Sequence, residues 1–223
     1  MNKSIIVALD EYKETKFDQV LDQLDPNLCM VKIGSVTFNS LGREAVIKAA
    51  SKGFDVFLDL KLHDIPNTVR KSIVGLADLP IKMITVHTSG GLKMLKESVD
   101  AVKETSIKIF GVTALTSLAD EDTQIIYRCN AKDQVLAMLK LAMQSGIHGV
   151  VCSPHELSLV KNNSDLLTIT PGIRMKSLGD DQIRTMSPKE AIDNGSNFLV
   201  IGRPITASTD IIKSLEEIYD SIQ

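Results

Sequence analysis

Short apolar runs rich in β-branched residues recur along the chain, and stretches with helical periodicity lie between them. This alternation is what βαβ units with parallel strands require. The predicted strands are Ser4–Asp10, Cys29–Gly34, Phe54–His63, Met83–Thr88, Ile107–Leu115, Gly149–Ser153, Leu166–Pro171 and Phe198–Gly202.

Helical periodicity predicts helices between these strands and at the end of the chain. Met138 and Met143 are expected on the buried face of one of them. The clearest helical stretches are Leu92–Lys103, Gln134–Ser145, Pro188–Asn194 and Asp210–Ile222.

Eight strand-helix units of about 28 residues each match a (β/α)8 or TIM barrel of the α/β class. An open doubly wound sheet, with about five or six strands, is the alternative. No Pro-, Gly- or Ser-rich linker and no shift in composition divides the chain. We therefore expect a single domain over residues 1–223.

The third strand carries charges on one face only. The even-numbered residues of Val56–Leu62 are all apolar and are expected to pack against helices. Because successive side chains of a strand point to opposite faces, Phe57, Asp59 and Lys61 are predicted to point into the barrel. An isolated Asp-x-Lys string more often lies on an edge strand that is exposed to solvent. The even-numbered face of Val56–Leu62 is too apolar for an exposed edge strand.

The first two strands also end in charged residues of inward parity, Asp10 and Lys32. Burying unpaired charge costs several kcal/mol, so these groups must compensate Asp59 and Lys61 or bind a ligand. Asp64, in the next loop, would complete an alternating array of positive and negative groups. Catalytic groups of this fold come from the C-terminal ends of several strands, where these residues lie.

A glycine followed closely by an arginine occurs at the end of both the predicted seventh and eighth strands, where the loops begin, in Pro171-Gly172-Ile173-Arg174 and in Gly202-Arg203. Barrel enzymes often bind phosphate in these two loops, through backbone N–H groups and arginine side chains. The polar stretch Arg174–Arg184 is long for such a loop and predicts a lid.

Charge and composition exclude several classes of protein. A net charge of −3 and a pI near 5.8 argue against nucleic acid as a partner. The three cysteines, Cys29, Cys129 and Cys152, suggest neither a disulfide framework nor a zinc site and favour a reducing cytoplasm. No apolar stretch approaches the roughly 18 residues of a membrane span, so no membrane partner is expected.

The segment Asp59–Thr68, with the sequence DLKLHDIPNT, resembles the D-x-K-x-x-D-I-P-x-T signature of the orotidine 5'-phosphate decarboxylase family, in its short bacterial form. Further landmarks of that family follow in register between Asp10 and Ile205. They are Ala8–Asp10, Val31–Gly34, Leu115–Ser117, Thr170–Arg174, Asp181–Gln182 and Val200–Ile205.

The resemblance implies conversion of orotidine 5'-monophosphate to UMP and CO2, the last step of UMP synthesis, with no cofactor and no metal. It implies that Lys61 is the proton donor, that Asp59 lies against the departing carboxylate, and that Lys32 organises Asp59 and the ribose. It also implies a homodimer with shared active sites, in which Asp64 and Thr68 enter the site of the neighbouring subunit.

The remaining contacts that the resemblance implies concern substrate binding. Asp10 would bind a ribose hydroxyl, and Thr116 would reach the pyrimidine. Gln182, in the predicted lid, and Arg203 would hold the phosphate, beside Gly202 and Arg174.

Two other functions stay open at this point. A magnesium-dependent sugar-phosphate decarboxylase or aldolase shares the barrel and the D-x-K-x-x-D string, but it needs an acidic metal ligand near the strand end where Lys32 stands. A catalytically silent barrel is disfavoured by the intact charges. His63 and His87 are weighed as metal ligands and discounted, because Lys32 and Lys61 would repel another cation nearby.

Overall fold

A computed structural model of the chain describes residues 3–115, 120–174 and 186–223. Eight parallel strands follow one another around a closed barrel, and the last strand pairs with the first. The barrel prediction is confirmed, and the open sheet is excluded. The strands are β1 (Ile5–Leu9), β2 (Cys29–Gly34), β3 (Val56–Leu62), β4 (Met83–His87), β5 (Lys108–Val112), β6 (Gly149–Val151), β7 (Leu167–Thr170) and β8 (Phe198–Ile201).

Each observed strand lies within its predicted run, and most strands are shorter than the run. The prediction Ile107–Leu115, for example, becomes β5 at Lys108–Val112. A residue counts as part of a strand only where it pairs with a neighbouring strand. The apolar runs continue past the last paired residues into the loops at the barrel rim. The C-terminal ends of the runs are therefore loop residues that face the mouth of the barrel.

Helices cover the outside of the barrel, and all four clear helical predictions are confirmed. Met138 is buried as expected, whereas Met143 is 43% exposed. The prediction for Met143 is wrong because five residues rotate a helix by about 140° from the buried face. The helices are α1 (Glu14–Leu21), α2 (Ser35–Ser51), α3 (Pro66–Leu76), α4 (Gly91–Asp100), α5 (Asp120–Tyr127), α6 (Ala131–Ser145), α7 (Leu157–Asn163), α8 (Pro188–Asp193), α9 (Arg203–Thr206) and α10 (Ile211–Ser221).

None of the helices in the described ranges is both long and apolar enough to cross a membrane.

Two separate apolar cores hold the barrel. The larger lies between strands and helices and contains Val56 and Leu58, with Leu60 and Leu62 packed against it. The smaller fills the barrel interior and contains Phe57. The parity predicted for β3 is therefore confirmed. The interior core consists of Ile6, Ala8, Met30, Phe57, Met83, Phe110, Ile169 and Val200.

Candidate active site

A pocket of about 340 Å³ opens at the C-terminal ends of the strands. Its floor is formed by the upper residues of the interior core, among them Ala8, Phe57 and Val200. Its walls carry the charged residues at the ends of β1 to β3 and the loops after β7 and β8. The apolar floor and polar rim are typical of a ligand site in this fold.

The Asp59 carboxylate is the centre of the charged wall. Its Oδ2 accepts a hydrogen bond from Lys61 Nζ at 2.7 Å and lies 3.8 Å from Lys32 Nζ. Its Oδ1 accepts a hydrogen bond from the Thr85 hydroxyl at 2.9 Å. Asp59 and Lys32 are only 7% and 8% exposed, so each buried charge has an opposite charge beside it.

Lys32 connects this centre to the end of β1. Its Nζ donates a hydrogen bond to Asp10 Oδ1 at 2.8 Å, and the Asp10 side chain is 53% exposed toward the mouth of the pocket. Gly34 leaves room for this pair, because a Cβ at that position would lie 2.8 Å from Lys32 Nζ and 3.1 Å from Asp10 Oδ1. The Val31–Gly34 motif therefore ends in glycine because a larger residue would crowd the Lys32 and Asp10 side chains.

The backbone at Lys61 departs from regular strand geometry. Lys61 has a φ of 49°, and the pairing of β3 with β4 changes register between Leu58 and Leu62. A non-glycine residue in this region carries strain of about 1–2 kcal/mol, and such irregularities in strands re-aim side chains. Here the irregularity lies at the residue whose ammonium group contacts Asp59, and the Lys61 side chain remains 39% exposed.

The opposite side of the pocket is built by the loops after β7 and β8. Arg174 and Arg203 both line it, together with Gly172 and Gly202. Gly172 has a φ of 82°, a conformation that favours glycine, and the Arg174 N–H donates to the carbonyl of Met186 at 3.1 Å. Guanidinium groups carry the positive charge and the fork of N–H donors that bind phosphate in proteins.

Asp64 and Thr68 do not line the pocket of their own chain. Both are exposed, in the loop after β3 and the first turn of α3. Asp64 Oδ1 accepts a hydrogen bond from the Ile65 N–H at 2.6 Å, and among the described residues no ion pair joins Asp64 to Lys61. Within one chain, the array of alternating charges ends at Lys61.

A histidine pair lies at the ends of β3 and β4, outside the pocket lining. The rings of His63 and His87 stack with centroids 5.3 Å apart, and Ser89 Oγ lies 2.6 Å from His87 Nδ1. Burial lowers the pKa of His87, and the nearby His63 and Lys61 lower it further. Within the described ranges, no cluster of three or more His, Cys, Asp or Glu side chains could hold a metal ion.

Cys152, directly after β6, lines the apolar part of the pocket and is 1% exposed. Burial raises the pKa of its thiol, so the group stays neutral at physiological pH. Cys152 therefore acts as a small apolar wall residue of the pocket.

Residues 3–218 match the model of the Orotidine 5'-phosphate decarboxylase / HUMPS family. The chain belongs to this family. The match spans all eight strands and all the pocket-lining loops.

Curated and solved members of the orotidine 5'-phosphate decarboxylase family are similar over nearly their full length. The orotidine 5'-phosphate decarboxylase of Saccharophagus degradans is 43% identical over 220 residues, covering 96% of this chain and 92% of its own. That of Actinobacillus pleuropneumoniae is 42% identical and is covered completely, as is this chain. The crystal structure of the Lactobacillus acidophilus decarboxylase has a TM-score of 0.88 at 36% identity, covering 99% of each chain.

The decarboxylase-family motifs supplied most of the predicted pocket residues. Among the predicted site residues, Thr116 and Gln182 lie outside the described residues, as does most of the predicted lid. Asp64 and Thr68 lie beyond the pocket lining. Those that line the pocket are Asp10, Lys32, Asp59, Lys61, Arg174, Gly202 and Arg203.

Thr85 was not singled out from the sequence, although it contacts both Asp59 and Lys61. The alternation of inward and outward side chains, applied to β1 to β3, would have identified Thr85 if it had also been applied to β4. Thr85 shares the inward parity of Met83, which belongs to the interior core. A lone threonine in a β-branched run gives no other signal.

Proposed function

We propose that this protein decarboxylates orotidine 5'-monophosphate to UMP and CO2 without a cofactor. The observation that carries the proposal is the contact of Lys61 Nζ with the buried Asp59 carboxylate at 2.7 Å, in the pocket of a chain from this family. The named relatives are orotidine 5'-phosphate decarboxylases, so the magnesium-dependent sugar-phosphate alternative has no support among them.

Lys61 is the proposed proton donor. When the bond between C6 and the carboxylate breaks, its electron pair stays on C6 and CO2 leaves. The Lys61 ammonium stabilises this negative charge and transfers a proton to C6, which completes UMP. Lys61 is then a neutral amine and takes a proton from solvent before the next turnover.

Asp59 and Lys32 organise this chemistry in the proposal. Both oxygens of Asp59 already accept hydrogen bonds, so the carboxylate is held in one orientation beside the position of the departing carboxylate. Lys32 pairs with Asp10 at 2.8 Å, so the row of alternating charges extends from Asp59 to the mouth of the pocket. We assign the ribose hydroxyls to Lys32 and Asp10.

The phosphate is assigned to the arginine end of the pocket. Arg174, Gly202 and Arg203 line that end. We assign Gln182 to the phosphate and Thr116 to the pyrimidine from the family motifs. Binding energy from a phosphate remote from C6 can be used to orient the base and exclude water from the reaction.

We further propose a homodimer with shared active sites that works in the cytoplasm. Asp64 and Thr68 belong to the family signature, yet in a single chain they face solvent beside the pocket. A second subunit would use these exposed residues to complete its own charge array next to Lys61. An exposed Ile65 between them, at 66%, is consistent with an apolar contact there.

The decisive experiment follows the ultraviolet absorbance of orotidine 5'-monophosphate with purified protein in excess EDTA. We expect turnover to survive exhaustive chelation, because the pocket offers alternating protein charges in place of metal ligands. Orotidine, which lacks the phosphate, serves as the control and should react far more slowly. Activity that disappears in EDTA and returns with magnesium contradicts the cofactor-free proposal.

A further inference from the structure

Thr85 lies in the middle of β4, fully buried, between the two central groups of the pocket. Its Oγ1 accepts a hydrogen bond from the backbone N–H of Lys61 at 2.8 Å. The same oxygen donates its hydrogen to Asp59 Oδ1 at 2.9 Å. An amide N–H can only donate and an ionised carboxylate can only accept, so the direction of both bonds is set.

The irregular pairing of β3 and β4 explains why a hydroxyl is needed at this position. Register changes between Leu58 and Leu62, and Lys61 has a φ of 49°. At this irregularity the Lys61 N–H bonds to the Thr85 hydroxyl in place of a backbone carbonyl. A buried N–H without a partner costs about 1–3 kcal/mol, so the hydroxyl stabilises this strained backbone.

The same hydroxyl restrains the acidic partner of Lys61. Asp59 Oδ2 contacts Lys61 Nζ, and Oδ1 contacts Thr85, so the carboxylate cannot rotate without breaking one of these bonds. The β-branched side chain of threonine is itself stiff about χ1. Thr85 therefore links the backbone of Lys61, the carboxylate of Asp59 and β4 into one rigid unit.

We propose that Thr85 is a positioning residue for the decarboxylation. It holds the Lys61 backbone and the Asp59 carboxylate in the mutual orientation that directs the ammonium group at C6. The inference rests on the proposed function of this pocket. Thr85 does not line the pocket, so it acts on the chemical step and leaves the grip on ribose and phosphate intact.

The test compares Thr85→Val, which keeps the shape and removes the hydroxyl, with Thr85→Ser, which keeps the hydroxyl. We expect Thr85→Val to lower kcat about 10- to 100-fold with KM changed less than about 3-fold. Thr85→Ser should recover kcat to within about 5-fold of the wild type. A residue with only a packing role would tolerate valine, which keeps the shape, better than serine, which loses a methyl, and it would not separate kcat from KM.

Thr168→Val is the matched control, because Thr168 is equally buried on β7 and its hydroxyl also accepts from a backbone N–H, that of Asn197. It should lose a similar amount of thermal stability and retain kcat. If Thr85→Val does not fold, Thr85→Ala provides the same comparison with Thr85→Ser.

Three outcomes overturn the inference. They are full kcat without the hydroxyl, equal losses in the valine and serine variants, and an equal loss of kcat in Thr168→Val. Inactivity of the wild type toward orotidine 5'-monophosphate contradicts the proposed function and the inference with it.

Discussion

The charges at the site are balanced residue by residue before any substrate arrives. Asp59 contacts Lys61 at 2.7 Å and Lys32 at 3.8 Å, and Lys32 also contacts Asp10 at 2.8 Å. Two carboxylates and two ammonium groups thus form a continuous chain. Removal of any one of them takes an opposite charge away from a neighbouring charged group, and at the buried Lys32 and Asp59 this is more costly than the loss of a surface ion pair.

Lys61→Ala should reduce decarboxylation by at least about 100-fold, because a general acid and the stabilisation of the carbanion are lost together. The fold should survive, since the Lys61 side chain is 39% exposed and lies outside both apolar cores. Absorbance assays and circular dichroism on one preparation check both statements. A folded Lys61→Ala protein with wild-type kcat would remove Lys61 from the mechanism.

Gly34→Ala should lower kcat/KM about 10-fold while leaving the fold intact. The added methyl would stand 2.8 Å from Lys32 Nζ, and the flexible end of that side chain can move away only by breaking its hydrogen bond with Asp10. Gly75→Ala is the control, because a Cβ there meets nothing within 4 Å. Equal kinetics in the two variants would show that the Lys32–Asp10 pair is dispensable.

At the scale of elements, different strands and loops supply different parts of the site. β1 to β4 supply the charged wall and its supporting threonine, whereas the loops after β7 and β8 supply the arginines. The charged residues and the arginines line the same pocket of about 340 Å³. In the proposed function, the charged wall carries out the chemistry and the arginine loops bind the phosphate, so we expect substitutions to alter the two separately.

Arg203→Ala should lower kcat/KM for orotidine 5'-monophosphate about 10- to 100-fold, because a charge-assisted contact with a dianion disappears. The reaction of orotidine, which has no phosphate, should be unaffected. Arg43→Ala serves as the control, since Arg43 lies in α2 and pairs with Asp78 at the surface. An unchanged kcat/KM in Arg203→Ala would place the phosphate elsewhere.

At the scale of the whole molecule, only part of one family motif lines the pocket of its own chain. Of the Asp59–Thr68 signature, Asp59 and Lys61 line the pocket, while Asp64 and Thr68 face solvent. The proposed shared-site dimer would resolve this division, because exposed residues of one subunit would complete the pocket of the other. Such sharing would make activity depend on association, and mixing inactive variants tests this.

Mixing Lys61→Ala chains with Asp64→Ala chains should restore activity that neither variant has alone. In a mixed dimer, one site carries both lesions and the other is intact. Random exchange between equal amounts gives about a quarter of the wild-type activity per site. No recovery, with subunit exchange demonstrated independently by mass spectrometry of tagged chains, would place Asp64 in the site of its own chain.

The sequence by itself determined the barrel and the inward direction of its charges. A strand has a period of two and a helix a period of 3.6, so local apolar patterns are enough to locate β3 and to orient Asp59 and Lys61. Met143 marks the limit of such local reasoning. Its place in a helix was predicted correctly, but its angular position on that helix was not.

The tertiary structure decided which groups meet across neighbouring strands. The contact of Thr85 with Asp59 and Lys61 depends on the register change between β3 and β4 and on the positive φ of Lys61. The arginine loops meet the charged wall only because β8 pairs with β1 and closes the barrel. Register and closure are set by packing among residues far apart in the chain, and a local pattern does not encode them.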